Sequence, residues 1–488
     1  MFELEHPSLE PIESMISAQY DSAYRTGFDG MELAGVSPDD IWHTDAHRIF
    51  KAVCFPDFKK AQITIGWKVL ELEEQIRSLK DKEKKLHSKR ETQEANEIKN
   101  IRVVIENRQL IFRRLLDSML WTLVWPQKWI LRRYRIEGGK RKIDIKTIEP
   151  LLKEIERRND DSFDLICDLT TIAQLGDLII FKWDAKRNVV NSIIAELKVG
   201  PKNVFLCDLL KDTDEKDLDG ALSKLTNTDP QLAKQAKRIL RQKDRLKNFE
   251  NIVFKDEGVH PVTGTKLRFF DAIASRDYRD EIHNLVSKAK IEGSHGLRLD
   301  KCLNLFAITK DDQNDPHRQL KLGCMFYHMN TGKFCGPEKS DIEYLLKMPK
   351  IINLFEQCMV TPIAMPPFLW YPKEVIMDVI MKRVKIFSQF NYENFFDIAS
   401  EFGIKMSFIT GKEAQRIEEA GASKPLFEYR DKRFVKYENS NGTSLVSGAR
   451  LFSRVYMDLV RPYSKLINIV SSLEFVEKDQ RMKNPSSG

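Results

Sequence analysis

Gly176-Asp177-Leu178-Ile179-Ile180-Phe181 and, past a polar stretch, Ile193-Ile194-Ala195-Glu196-Leu197-Lys198-Val199-Gly200 are the segments whose reading decides the fold. Leu178–Phe181 is a short apolar run. Lys182-Trp183-Asp184-Ala185-Lys186-Arg187-Asn188 then turns polar, as a hairpin tip does, and Val189–Val199 has the Val and Ile content of a returning strand. Side chains alternate faces along a strand. Glu196 and Lys198 therefore point one way, and Ala195, Leu197 and Val199 the other, into a core. Asp177 starts the first strand and would lie beside them across the pair. Two carboxylates and a lysine then converge at one edge of a sheet.

That set has a chemistry. Paired carboxylates hold a hard divalent cation through oxygen ligands. The cation polarises a phosphodiester and acidifies a bound water, and a lysine beside it orients that water or stabilises developing charge. The spacing Asp177–x18–Glu196-Leu197-Lys198 resembles the PD-(D/E)XK nuclease superfamily over residues 150–245. In that family the acidic residue opens the second strand and the (D/E)-x-K triplet lies on the third. Gly176 stands where the family's proline would be, a variant the family often shows.

The resemblance implies an α/β (α+β) fold: a restriction-endonuclease-like mixed sheet flanked by helices. It implies Mg²⁺ or Mn²⁺ held by Asp177 and Glu196, with Lys198 positioning the attacking water. A helix before the hairpin often supplies a further acid in this family. Here that helix is 146–158, with Glu154 and Glu156 on different faces, so one of them at most reaches the site; Glu154 is the candidate taken. A basic helix after the third strand often presents Gln or Arg to the DNA backbone. Gln231–Phe249 fits, with Gln235, Arg238, Arg241 and Gln242 as contact candidates. The plain reading of the same residues is an amphipathic hairpin with a surface ion pair, beside solvated helices.

The chain has 488 residues, more than one ordinary core holds. We expect a mixed region over 1–66, a helical hairpin or coiled coil over 67–125, the nuclease-like core over 126–255, a C-terminal α/β domain over 256–480 and a disordered tail over 481–488. Val69, Leu72, Ile76, Leu79 and Leu86 recur at helical steps, with Glu83 where another apolar residue would fall. The pattern lapses near Arg90–Ala95 and resumes from Ile98 to Leu115, giving either an antiparallel hairpin or one broken helix. Such helices pack internally or join a second copy or a partner protein.

A net charge of +7 is compatible with DNA or RNA without requiring either. Lys128, Arg132, Arg133 and Arg135 interleave with Trp129 and Tyr134, the mixture that contacts phosphates and stacks on bases. No apolar run approaches the ~18 residues of a membrane span, and the acidic start lacks the apolar core of a signal peptide. Seven scattered cysteines suit a reducing cytoplasm. His43 with His47, Cys324 with His328 and Cys335, and the acidic stretch 212–220 lack the spacing of zinc or EF-hand sites. P-loop, GxGxxG and GxSxG motifs are missing.

The expected activity is Mg²⁺-dependent hydrolysis of DNA phosphodiesters, resembling prokaryotic restriction or phage-defence (antiviral) effectors. The alternative is a non-catalytic coiled-coil adaptor or nucleic-acid-binding scaffold with a degenerate nuclease fold.

Overall fold

The structure is a computed structural model. It describes residues 2–21, 44–124, 143–158, 161–173, 176–184, 189–195, 205–206, 220, 223, 227, 229–254, 257–259, 266–268, 278–309, 318–331, 351–361, 364–366, 373–419, 434–448, 455 and 459–483. The chain is a mixed α+β protein that divides into two compact units, Glu3–Phe270 and Asp271–Gly488. Among the described residues no helix is long and apolar enough to cross a membrane.

The first unit is built on a helical hairpin. After α1 (Glu13–Tyr20) come α2 (Thr44–Ser88) and α3 (Thr92–Leu123). Arg90 turns the chain at φ 65°, and the Glu91 amide donates back to the Leu86 carbonyl. The helices run antiparallel, so of the two readings the sequence left open the hairpin is the one formed. Glu83, the misfit in the apolar stripe, meets Arg102 across the seam at 2.9 Å. Arg102 also binds Glu106 at 2.8 Å. Burial alone would lower the Arg102 pKa, but these two carboxylates raise it above the ordinary guanidinium value.

α2 begins well before the expected start near residue 67 and runs through Pro56. Proline removes one helical donor and normally ends a helix. Here Cys54, Phe55, Phe58, Ala61 and Ile65 are buried, so tertiary packing holds the helix across the break.

On this hairpin lie α4 (Ile145–Arg157) and a three-stranded antiparallel sheet, β1 (Phe163–Ile166), β2 (Leu178–Asp184) and β3 (Val189–Ala195), in the order β1-β2-β3. Asp144 starts α4 by accepting the Lys146 amide, and Ile148, Leu152 and Ile155 are its buried stripe. Leu152 comes so close to α2 that a Cβ on Gly66 would sit 2.6 Å from its Cδ2. Phe163 pairs with Phe181 across β1 and β2, rings stacked at 6.2 Å, and Phe58 of α2 meets Phe163 edge-on at 5.9 Å. Each such aromatic contributes roughly 2–3 kcal/mol by leaving water. The sheet's core is thus supplied by the hairpin, and the stretches expected as separate domains at 67–125 and 126–255 share one unit. α5 (Pro230–Phe254) follows, then the short pair β4 (Glu257–Val259) and β5 (Lys266–Arg268).

The second unit holds two antiparallel sheets. The first has the order β6-β7-β9-β8, from β6 (Ser294–Leu299), β7 (Leu303–Thr309), β8 (Ile352–Asn353) and β9 (Val384–Phe390). Asp300 and Lys301, both at positive φ, make the tight turn between β6 and β7. α6 (Arg279–Glu292) precedes the sheet. α7 (Arg318–Thr331) covers one face through Leu322 and Phe326 on Phe306 and Ile308. α8 (Leu354–Val360), α9 (Lys373–Ile380) and α10 (Tyr392–Glu401) lead to the second sheet. That sheet is β10 (Ile404–Ile409), β11 (Phe434–Asn439) and β12 (Ser444–Gly448), with α11 (Gly411–Glu419) between its first two strands and α12 (Pro462–Lys483) closing the chain. Every described strand pair is antiparallel, which puts this unit on the α+β side of the expected α/β or α+β class.

Candidate active site

Gly176 has φ +68°, and a Cβ there would meet Ile194 Cγ2 at 2.6 Å and the Ala195 carbonyl oxygen at 2.9 Å. Only glycine fits. Its conformation delivers Asp177 into the gap between two strands. The Asp177 amide donates to the Ala195 carbonyl at 2.9 Å, and the Asp177 carbonyl accepts from the Cys167 amide at 2.9 Å. The backbone of Asp177 is therefore fixed on both sides, and the residue is half-buried.

The register assigns the faces. Leu178 pairs with Ala195 and Ile180 with Ile193; Ile179 pairs with Ile194 and Phe181 with Ser192. Asp177, two residues before Ile179, belongs to the face of Ile179 and Phe181, which are 0% and 1% exposed. Ile193, on the face of Ala195, is 50% exposed. The sequence expectation had the Ala195 face inward; in the described part of the sheet the deeper face is that of Asp177, because α2 packs there with Phe55 and Phe58. Glu196 and Lys198 lie outside the described residues.

The segment joining β1 to β2 is held by α3. Asp117, fully buried, accepts from the Thr171 amide at 2.7 Å, the Ile172 amide at 3.2 Å and the Thr171 hydroxyl. Arg114, equally buried, binds the same carboxylate at 2.8 Å. Arg113 donates to the carbonyls of Asp168, Leu169 and Thr170. Gln62 of α2 completes the outer edge of β1: its amide nitrogen donates to the Asp164 carbonyl at 2.6 Å and its oxygen accepts the Ile166 amide at 3.0 Å. Sequence reasoning missed these residues. A signal existed for two of them: Arg114 and Asp117 are an i, i+3 charge pair inside the mostly apolar stretch Ile111–Val124.

Two further carboxylates, Glu154 and Asp164, are occupied. Glu154 is half-exposed and pairs with Arg158 at 3.3 Å. Arg158 in turn reaches the buried carboxylate of Asp164 at 2.9 Å, which the Ser162 hydroxyl also donates to. Asp164 is thus part of the sheet's support. Among the described residues no group of three or more His, Cys, Asp or Glu side chains is arranged to hold a metal. Asp177 brings one carboxylate to the strand end, so a cation site here needs Glu196 as its second donor.

α5 starts on Asp229, whose side chain accepts the amides of Gln231 and Leu232 at 3.0 Å, with Pro230 as first helical residue. Ala233 and Ala236 are buried. Lys234, Lys237, Arg238, Arg241, Lys243 and Lys247 are exposed, and Gln235 is half-buried. Gln242 is helical, and its side chain lies outside the described residues. The basic–aromatic stretch at 128–142, His43 and Cys335 are also outside them. Cys324 and His328 share α7, and Cys54, Cys167, Cys302, Cys324 and Cys358 are in no disulfide. Burial raises the Cys54 and Cys302 pKa values well above the ordinary thiol range, so neither is a reactive thiolate.

The chain matches no protein-family model, no curated protein and no solved structure. Its function is argued from its own residues.

Proposed function

We propose that the first unit is a Mg²⁺-dependent nuclease of the PD-(D/E)XK type that hydrolyses DNA phosphodiesters. The observation that carries this reading is the Asp177 amide bonded to the Ala195 carbonyl. Glu196 follows Ala195 by one peptide bond, so its Cα lies within about 3.8 Å of the Ala195 Cα. In this reading Asp177 and Glu196 supply the two carboxylates from adjacent strand ends. The order of elements supports the same reading: α4, three antiparallel strands with the acid opening the second, then α5 with its exposed basic face. So does Gly176, whose backbone admits no side chain at the position before the acid.

In this reading Asp177 and Glu196 hold the cation, and Lys198 donates a hydrogen bond to the attacking water. Mg²⁺ bound there polarises the scissile phosphate and lowers the pKa of that water. Arg238 and Arg241 neutralise backbone phosphates of DNA, with Gln235 and Gln242 on the same helix side. Glu154 is engaged by Arg158 and enters only if that ion pair, half-exposed and weak, opens. A second reading, a non-catalytic scaffold, is favoured by one observation: Asp177 sits on the face that is otherwise packed with Ile179 and Phe181.

The test is cleavage of supercoiled plasmid and single-stranded DNA with Mg²⁺ or Mn²⁺, wild type beside Asp177→Asn, Glu196→Ala and Lys198→Ala. We expect wild-type cleavage, at least 100-fold loss in each variant, and no cleavage in EDTA. Cleavage that survives all three substitutions moves the chemistry elsewhere. Inactive wild type that nevertheless binds DNA favours the scaffold.

A further inference from the structure

The N-terminal segment is laced onto α3. The Asn107 side-chain amide donates to the Glu3 carbonyl at 2.8 Å, and Arg108 Nε donates to the Leu4 carbonyl at 2.7 Å. Glu5 closes the loop, accepting the Ile12 amide at 3.3 Å. Between this segment, α2 and α3 lies a cavity of about 340 Å³. Its size is at the lower end of small-molecule pockets, roughly 300–1,000 Å³.

The lining is mixed. Leu72, Ile105 and Phe112 form an apolar wall, and Lys68, Glu71 and Arg108 bring charge. Lys68 is satisfied by Glu71 at 2.7 Å. Arg108 is not satisfied to the same degree. It is 7% exposed, its nearest carboxylate oxygen is Glu5 Oε2 at 3.5 Å, and Nη1 has no hydrogen-bond partner among the described residues. Burial lowers its pKa, and the Glu5 charge offsets only part of that. A largely buried guanidinium with one edge left unbonded toward a cavity is a receptor for a carboxylate. The neighbouring Glu5, Glu10 and Glu71 disfavour a dianion. A single negative charge matches the single underpaired cation, and the apolar wall asks for hydrocarbon.

We propose that this cavity binds a small monocarboxylate with an apolar body, its carboxylate on Arg108 and its hydrocarbon against Leu72, Ile105 and Phe112. The site is independent of the nuclease reading.

The probes are phenylacetate, indole-3-acetate and octanoate, titrated into the full chain beside phenylacetamide and octanamide. Binding is read by calorimetry and by the ¹³C-methyl resonance of Met15, which lines the cavity and is assigned with Met15→Leu. We expect one site per chain, a Met15 shift, and at least tenfold preference for acid over amide. Arg108→Gln should weaken acid binding at least tenfold. Because Arg108 also holds Leu4, Ser8→Trp is the companion variant: Ser8 is an exposed lining residue, and tryptophan there fills the space without touching the charge. It should abolish binding with the circular dichroism spectrum unchanged. The proposal fails if no probe moves the Met15 resonance, if the amides bind as well as the acids, or if Ser8→Trp binds like wild type.

Discussion

In the first unit, Gln62 and Asp117 spend their buried polar atoms on backbone: four strand and loop groups at 2.6–3.2 Å, with Arg114 neutralising the aspartate. In the second unit, a partly buried network joins side-chain carboxamides to one another. Asn304 of β7 donates to Asn330 Oδ1 of α7 at 2.7 Å, Asn330 donates to Gln389 Oε1 of β9 at 2.8 Å, and Asn391 donates to Asn330 Oδ1 at 3.2 Å. That network is left incomplete: Asn304 Oδ1 is buried without a partner among the described residues. The difference is one of direction. The first network ties side chains to backbone groups of a strand edge and a loop. The second ties side chains to one another, with several routes between them. A polar network stabilises a fold according to what is stranded when it is cut, not according to how many bonds it contains.

The largest effect expected from this contrast is at Asp117. Asp117→Ala strands the Thr171 and Ile172 amides and leaves the buried Arg114 guanidinium without its carboxylate. We expect a loss of about 4 kcal/mol, in the range found when one partner of a buried ion pair is removed. Urea unfolding of wild type and variant measures it. A loss under ~1 kcal/mol would mean that water reaches the loop freely, and the contrast between the networks would collapse.

Gln62→Leu should come second. It leaves the Asp164 carbonyl and the Ile166 amide at the outer edge of β1 without partners, at about 3 kcal/mol for two buried backbone groups. Hydrogen exchange sharpens the reading: the Ile166 amide should lose protection first, because Gln62 is its acceptor. Uniform loss of protection across the first unit would instead mean that Gln62 supports the helix packing rather than the strand edge.

These residues also mark where sequence reading stops. The hairpin of β2 and β3 was legible because Gly-Asp before an apolar run, a polar tip and a Val/Ile-rich return are local signals. The α2–α3 helices were legible from their apolar period, and α5 from its basic residues and one apolar side. The inward face of the sheet was not, because both faces of Leu178–Phe181 are apolar and the choice is made by Phe55 and Phe58, more than a hundred positions away. The early start of α2 was not legible for a related reason: burial of the residues around Pro56 outweighs one lost helical bond. Gln62 was silent because its partners are backbone groups, which leave no mark in sequence, and Asp117 showed only as the i, i+3 partner of Arg114. At the candidate site the acid opening β2 was legible and is held as a strand residue, whereas the occupation of Glu154 by Arg158 and of Asp164 by Arg158 and Ser162 depends on tertiary contacts.

The smallest effect should be at Asn304. Asn304→Leu removes the 2.7 Å bond to Asn330 Oδ1, yet that oxygen still accepts from Asn391, and the Asn330 amide still donates to Gln389. No partner is stranded, and the substitution removes an orphaned oxygen in the same step. The lost bond and the removed orphan nearly offset, so the net cost should stay below ~1 kcal/mol. Asn330→Leu is the control, because it takes the acceptor of both Asn304 and Asn391 and the donor to Gln389. It should cost at least ~2 kcal/mol more than Asn304→Leu, because Asn391 and Gln389 lose their bonds to Asn330 and Asn304 keeps only its 3.4 Å bond to Gln389 Oε1. Equal costs at the two positions would show that the network has no hub, and that bond number alone describes it after all.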